Sequence, residues 1–118
     1  MVNEQRRNNL VVAVIALAAT ITSLRNGFAY DDIPIIATNT RVHDLGAWWS
    51  YFGTSYWPPQ YGESLYRPMS MLGYAIQWAI GSGNPMVFHA TSIGLFIVLA
   101  VLVIALLRQL LDERSALA

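Results

Sequence analysis

Two long runs without a charged side chain constrain this sequence more than any other feature. Residues 10–24 are almost all valine, alanine, isoleucine and leucine, interrupted by Thr20, Thr22 and Ser23. Residues 86–107 are apolar apart from His89, Thr91 and Ser92. As a helix the second run reaches about 33 Å, enough to cross a hydrocarbon core of about 30 Å. The first reaches only about 22 Å and needs Asn8, Asn9 and residues 25–28 to complete a crossing. With 55% of the 118 residues hydrophobic, the chain stands apart from ordinary soluble domains. The pattern predicts an all-α membrane protein: two transmembrane helices, residues 10–28 and 85–107, joined by a long external loop with short interfacial helices.

The charges give this hairpin a direction. Arg6 and Arg7 precede the first run, and Arg108 and Arg114 follow the second, whereas the connection holds only Arg25, Arg41 and Arg67. By the positive-inside bias, residues 1–9 and 108–118 are cytoplasmic, and residues 29–84 face the periplasm or lumen of an inner or cytoplasmic membrane. Residues 112–118 read as a loop interrupted, so the chain is expected to be part of a longer protein. A cleavable leader competes for the first run, since Gly27 and Ala29 stand at small-residue spacing before Tyr30. Arg25, placed to snorkel to the headgroups, favours retention.

Composition excludes several classes of function. Seven arginines balance seven acids, so the net charge is zero and nucleic acid is not an expected partner. Without cysteine there is no disulfide framework and no thiolate site. His43 and His89 belong to no paired ligand motif, so no metal and no cofactor is expected.

All four tryptophans and all six tyrosines lie between Tyr30 and Trp78. Amphipathic rings prefer the headgroup level, which predicts a connection lying on the membrane surface; a small cap packed from aromatics is the other reading. Asp44 is a fair N-cap for a helix over 45–52, with Gly53 as its stop. A second helix over 68–80 opens at Arg67-Pro68, with Met69, Leu72, Ile76, Ala79 and Ile80 at helical spacing. Too short to span, it is expected in the interface.

Just beyond the first run, in Gly27-Phe28-Ala29-Tyr30-Asp31-Asp32-Ile33-Pro34, two carboxylates stand side by side. Adjacent acids need a proton, a cation or a helix N-terminus to ionise cheaply. Pro34 fits a first helical turn, so Asp31 and Asp32 are either an acidic N-cap or a pair kept for chemistry.

These motifs, with Tyr66-Arg67-Pro68-Met69, Gly83-Asn84-Pro85 and Phe88-His89 in that order, resemble the start of a polytopic glycosyltransferase of the GT-C class. The closest likeness is to the transmembrane and tetratricopeptide-repeat O-mannosyltransferases. The lipid A aminoarabinose transferases are more distant, because their acidic pair is usually Asp-Glu and their later motif Lys-Pro-Pro. The resemblance implies transfer of a sugar, mannose in the first group, from a polyprenyl-phosphate-linked donor to a hydroxyl of a protein or lipid acceptor on the outer membrane face. It implies Asp31 as general base, Asp32 as its orienting partner and Arg67 on the donor phosphate, with Tyr66 and His89 as accessory candidates. Each has a plainer reading: Arg67 snorkelling or paired with Glu63, His89 a structural hydrogen bond, Tyr66 a membrane anchor. Two helices and a loop cannot enclose donor, acceptor and a dry site, so the chain alone is not expected to catalyse. The rival is a non-enzymatic two-span membrane adaptor or subunit.

Overall fold

The computed structural model describes residues 2–116, and side-chain surroundings through Leu111. Among the described residues there is no strand. Helix α1 covers Val2–Thr20 and tightens into a 3-10 turn over Ile21–Arg25. After a series of short turns come α2, Pro68–Gly81, and α3, Pro85–Ala116. The chain divides into two compact units, one made of α1 with α3 from Ala90 onward, the other running from Arg25 to His89.

Val2–Arg25 and Pro85–Leu111, most of whose residues fall in the first unit, are long and apolar enough to cross a membrane. The first of these takes in the polar residues before Leu10 and ends at Arg25, before Phe28. The helix tightens where Thr20 Oγ donates to the Ala16 carbonyl (2.7 Å) and Ser23 Oγ to the Thr20 carbonyl (2.8 Å), back-bonds that compete with the regular ladder. Ala16 and Ile93 are buried, while Leu10, Val14, Ile15, Leu95, Leu99 and Leu102 are exposed. A helix that is apolar all round and uncovered in water is unstable, so this unit requires lipid or further protein around it. Arg108 Nη1 donates to Asn9 Oδ1 at 3.3 Å, linking the two polar ends.

The second unit is a packed cap. Ile35, Ile36, Val42, Tyr51, Tyr56, Met71, Ala75 and Phe88 form its core, with Phe28, Trp57, Leu72, Tyr74 and Trp78 against it. Phe28, which could have extended the first crossing, instead meets Phe88 edge-on at 5.1 Å. Two faces of α2 are apolar. Met71 and Ala75 point into the core, whereas Met69, Ile76 and Ile80 of the stripe legible in sequence are exposed.

Asp44 caps the 3-10 segment Leu45–Gly53 by accepting from Gly46 N–H at 2.9 Å, and the segment kinks at Ala47. The turn-rich stretch from Trp57 to Gly62 closes on itself. Tyr56 N–H donates to Leu65 C=O (2.9 Å) and Trp57 N–H to Ser64 C=O (3.3 Å), which fixes Tyr56 at the core.

The turn between α2 and α3 depends on glycine. Gly83 sits at φ +81, and a Cβ there would lie 2.8 Å from the Trp78 ring. Asn84 Oδ1 then accepts from Met86 N–H at 3.0 Å, with Pro85 at the first position of α3.

Candidate functional site

The acidic pair opens a single π-helical turn, Ile33–Ala37. The expected cap is not made, for a local reason. Asp32, Ile33 and Ile35 donate their N–H groups to the backbone carbonyls of Ala29, Tyr30 and Asp31 (3.0, 3.2 and 3.0 Å), and Pro34 has none to give. Neither the Ile33 nor the Ile35 N–H is left to point at a carboxylate, and Asp32 makes no side-chain cap hydrogen bond. Asp32 Oδ2 reaches back only to Ala29 N–H, at 3.4 Å, and Asp31 is exposed. Both carboxylates are thus largely uncommitted within the chain. Tyr30, immediately before them, takes φ +49, a left-handed conformation costing a non-glycine residue about 1–2 kcal/mol.

Facing this turn is the wall built by the Tyr56–Leu65 closure and by α2. Together they enclose a cavity of about 240 Å³ lined by Asp31 and Asp32, by Ile35 and Ile36, by Tyr56, Trp57 and Leu65, and by Arg67 and Tyr74. Arg67 makes no ion pair with Glu63. Its guanidinium lies over the Tyr56 ring, 5.3 Å from the centroid. The Tyr56 and Tyr74 hydroxyls are 3.1 Å apart. Burial raises the Tyr56 pKa from its ordinary value of 10.0. The hydrogen bond to Tyr74 and the charge on Asp31 add to the rise, and Arg67 opposes it, so Tyr56 senses both signs of charge across the cavity.

Side chains outside the cavity hold its walls in register. Buried Asn39 donates from Nδ2 to the Ile35 carbonyl (3.0 Å). Its Oδ1 accepts from Arg41 N–H (3.3 Å) and Nε–H (3.2 Å), and Arg41 Nη1 donates to the Ser55 carbonyl (3.1 Å). The aspartate turn is thereby tied to the segment carrying Tyr56. His43 adds a second tie. Nε2 lies 2.7 Å from the Ile36 carbonyl, which can only accept, so that nitrogen carries the proton. The His43 ring stacks on Trp78 at 3.4 Å.

Of the residues singled out in the sequence, Asp31, Asp32 and Arg67 come together, although Arg67 is 35 positions from Asp32. Tyr66 and His89 do not line the cavity. Tyr66 turns the other way, its hydroxyl donating to the Phe52 carbonyl at 2.9 Å beside a shallower depression that holds Thr54, Ser55 and Glu63. His89 Nε2 is 3.4 Å from the Gly27 carbonyl, just upstream of the acidic pair. The sequence reading missed Tyr56, Tyr74, Asn39 and Arg41. No sequence signal marked Asn39 and Arg41, which stand among other polar residues, Thr38, Thr40, His43 and Asp44.

Comparison with known proteins gives the site its context. No family model matches the chain, and no solved structure matches it. The chain is 28% identical over 111 residues to the protein O-mannosyl-transferase TMTC3 of Mus musculus, and 25% identical over 111 residues to that of Homo sapiens. It is 30% identical over 88 residues to the protein O-mannosyl-transferase TMTC2 of Mus musculus. These alignments take in 91%, 91% and 71% of the chain but only 12%, 12% and 10% of the relatives, so the chain spans a small part of their length. With its two apolar helices it reads as an integral membrane protein, related over most of its length to the TMTC protein O-mannosyl-transferases.

Proposed function

We propose that this chain forms the catalytic face of a membrane glycosyltransferase, where the phosphate of a polyprenyl-linked sugar meets an acceptor hydroxyl on the outer side of the membrane. The observation that carries this reading is the shared cavity: two largely uncommitted carboxylates and an arginine with no ion pair among the described residues line the same 240 Å³. Base and phosphate ligand are the two elements such a transfer needs.

In this reading Asp31 takes the proton of the acceptor hydroxyl as its oxygen bonds to the anomeric carbon. The bond from that carbon to the phosphate oxygen breaks, its electron pair leaves with the phosphate, and Arg67 holds the developing charge. Asp32, more buried and tethered to Ala29, orients Asp31 or the acceptor. Tyr66 and His89 take no step. The exposed stripe of α2 and the exposed Trp48, Trp49 and Tyr66 support a cap resting at headgroup level, where a polyprenyl phosphate presents its sugar. Mannose and a hydroxyl-bearing protein are the sugar and acceptor favoured by the relatives' names.

The test is a chimera in which this chain replaces the matching 111 residues of murine TMTC3. Sugar transfer by membranes carrying it should fall about 100- to 10,000-fold for Asp31→Asn, the range for losing a general base, with donor binding little changed. Near-normal turnover per folded molecule in both Asp31→Asn and Asp32→Asn would sink the assignment and leave a non-enzymatic membrane adaptor as the better reading.

A further inference from the structure

Two phenols that share one hydrogen bond have a proton left over. Tyr56 and Tyr74 both line the cavity, their hydroxyl oxygens are 3.1 Å apart, and neither hydroxyl has another hydrogen-bond partner among the described residues. Each hydroxyl can donate once and accept. If one donates to the other, the acceptor's own O–H remains free. Burial decides which is which. Tyr56 is 7% exposed, with its ring beneath Arg67, while Tyr74 is only half-buried, so the donor within the pair is assigned to the more buried Tyr56 and the free proton to Tyr74.

We propose that Tyr74 donates a hydrogen bond from its phenol O–H, keeping its proton, to a donor phosphate in this cavity, and that Tyr56 is the positioning residue that sets both the Tyr74 hydroxyl and the Arg67 guanidinium. The inference rests on the donor-phosphate reading above and names the second donor of that site. A guanidinium and a neutral O–H on one wall give the phosphate two directed bonds, while the carboxylates opposite repel it from their side and stay free for the acceptor. Because the Tyr74 oxygen already accepts from Tyr56, its own proton is a better donor than that of an isolated phenol.

The probe is farnesyl phosphate titrated by calorimetry into the 118-residue chain in detergent micelles, with farnesol as the uncharged control. Tyr74→Phe is expected to weaken farnesyl phosphate binding about 10-fold or more, as for loss of a hydrogen bond to a charged group. Tyr56→Phe keeps the ring under Arg67 and should weaken it about threefold or less, with no further loss when added to Tyr74→Phe. Farnesol affinity should be unchanged throughout, which a merely structural role of the phenol pair does not predict. Fluorotyrosine at position 74, a stronger donor of the same shape, should tighten phosphate binding even if the Phe variant folds poorly, and unchanged affinity there would overturn the assignment. Wild-type chain binding farnesyl phosphate no better than farnesol, or unaffected by Arg67→Ala, would remove the donor-phosphate reading itself. Binding that depends on Arg67 but not on Tyr74, or that falls as much in Tyr56→Phe as in Tyr74→Phe, would overturn only the present proposal.

Discussion

At the scale of single residues, the site depends on groups that the fold leaves uncommitted, and on one that it holds neutral. Arg67 lies on an aromatic face, so its charge remains available to a ligand while its position is set. Arg67→Lys keeps the charge but loses the planar fork and the stacking. It should therefore behave nearly as Arg67→Ala in phosphate affinity, whereas a simple headgroup anchor would tolerate lysine fully. Tyr56 gives a pH prediction with a definite sign. Its folded pKa is raised above 10.0, as is that of Tyr51, so the protonated form is favoured by folding. The stability this contributes is present below about pH 10 and is lost as pH rises through the unfolded value towards the folded one. Thermal melts of the wild type should drop above pH 10, and those of Tyr56→Phe should drop less.

At the scale of elements, the cap is held by a few buried side chains and by one tight corner. Met71 is fully buried on α2, and Met71→Ala should cost about 2–5 kcal/mol of cap stability by calorimetry or denaturant titration. Gly83→Ala forces a left-handed φ on alanine and drives Cβ into Trp78, so it should destabilise by more than the roughly 1–2 kcal/mol of the backbone cost alone. Ser82→Gly, at a φ of +49 beside it, should be neutral or stabilising. The sequence shows α2 and the Leu45–Gly53 segment well, because Pro68, Asp44 and Gly53 are strong local boundary signals. What it hides is the inward face of α2. Of the conspicuous stripe Met69, Leu72, Ile76, Ala79 and Ile80, only Leu72 packs against the core, which otherwise takes Met71, Ala75 and the aromatic flank of Tyr74 and Trp78. A helix apolar on two sides gives periodicity no way to choose between them. The aspartate turn was legible as a break and misleading as a cap, since backbone carbonyls close enough to consume its N–H groups follow from the conformation of Tyr30 and not from residue type.

At the scale of the whole molecule, two kinds of apolar surface remain uncovered: the flanks of α1 and α3, and, on the cap, Trp48, Trp49, Met69 and Ile80. The first has the length and composition that suit lipid or further membrane protein. For the second, lipid headgroups make a specific demand. In vesicles, brominated lipids with bromine near the headgroups should quench the fluorescence of Trp48 and Trp49 strongly, and lipids brominated deep in the chain should quench it weakly. Trp78, partly buried and stacked on His43, should respond less to either, so a Trp48→Phe/Trp49→Phe variant should lose most of the quenching. The same surface has a side. The arginines at the two outer ends predict cytoplasmic termini, and with them residues 29–84 in the opposite compartment. Single cysteines at Asn3 and Ser55 test this cleanly, because the wild type has none. In intact cells a membrane-impermeant maleimide should label Ser55→Cys and spare Asn3→Cys until the membrane is opened. Labelling of both from outside would break the hairpin topology, and labelling of Asn3→Cys alone would invert it. In the inverted case the cavity with Asp31, Asp32 and Arg67 would open to the cytoplasm, and the outer-face acceptor would have to be abandoned even if the chemistry of the site survived.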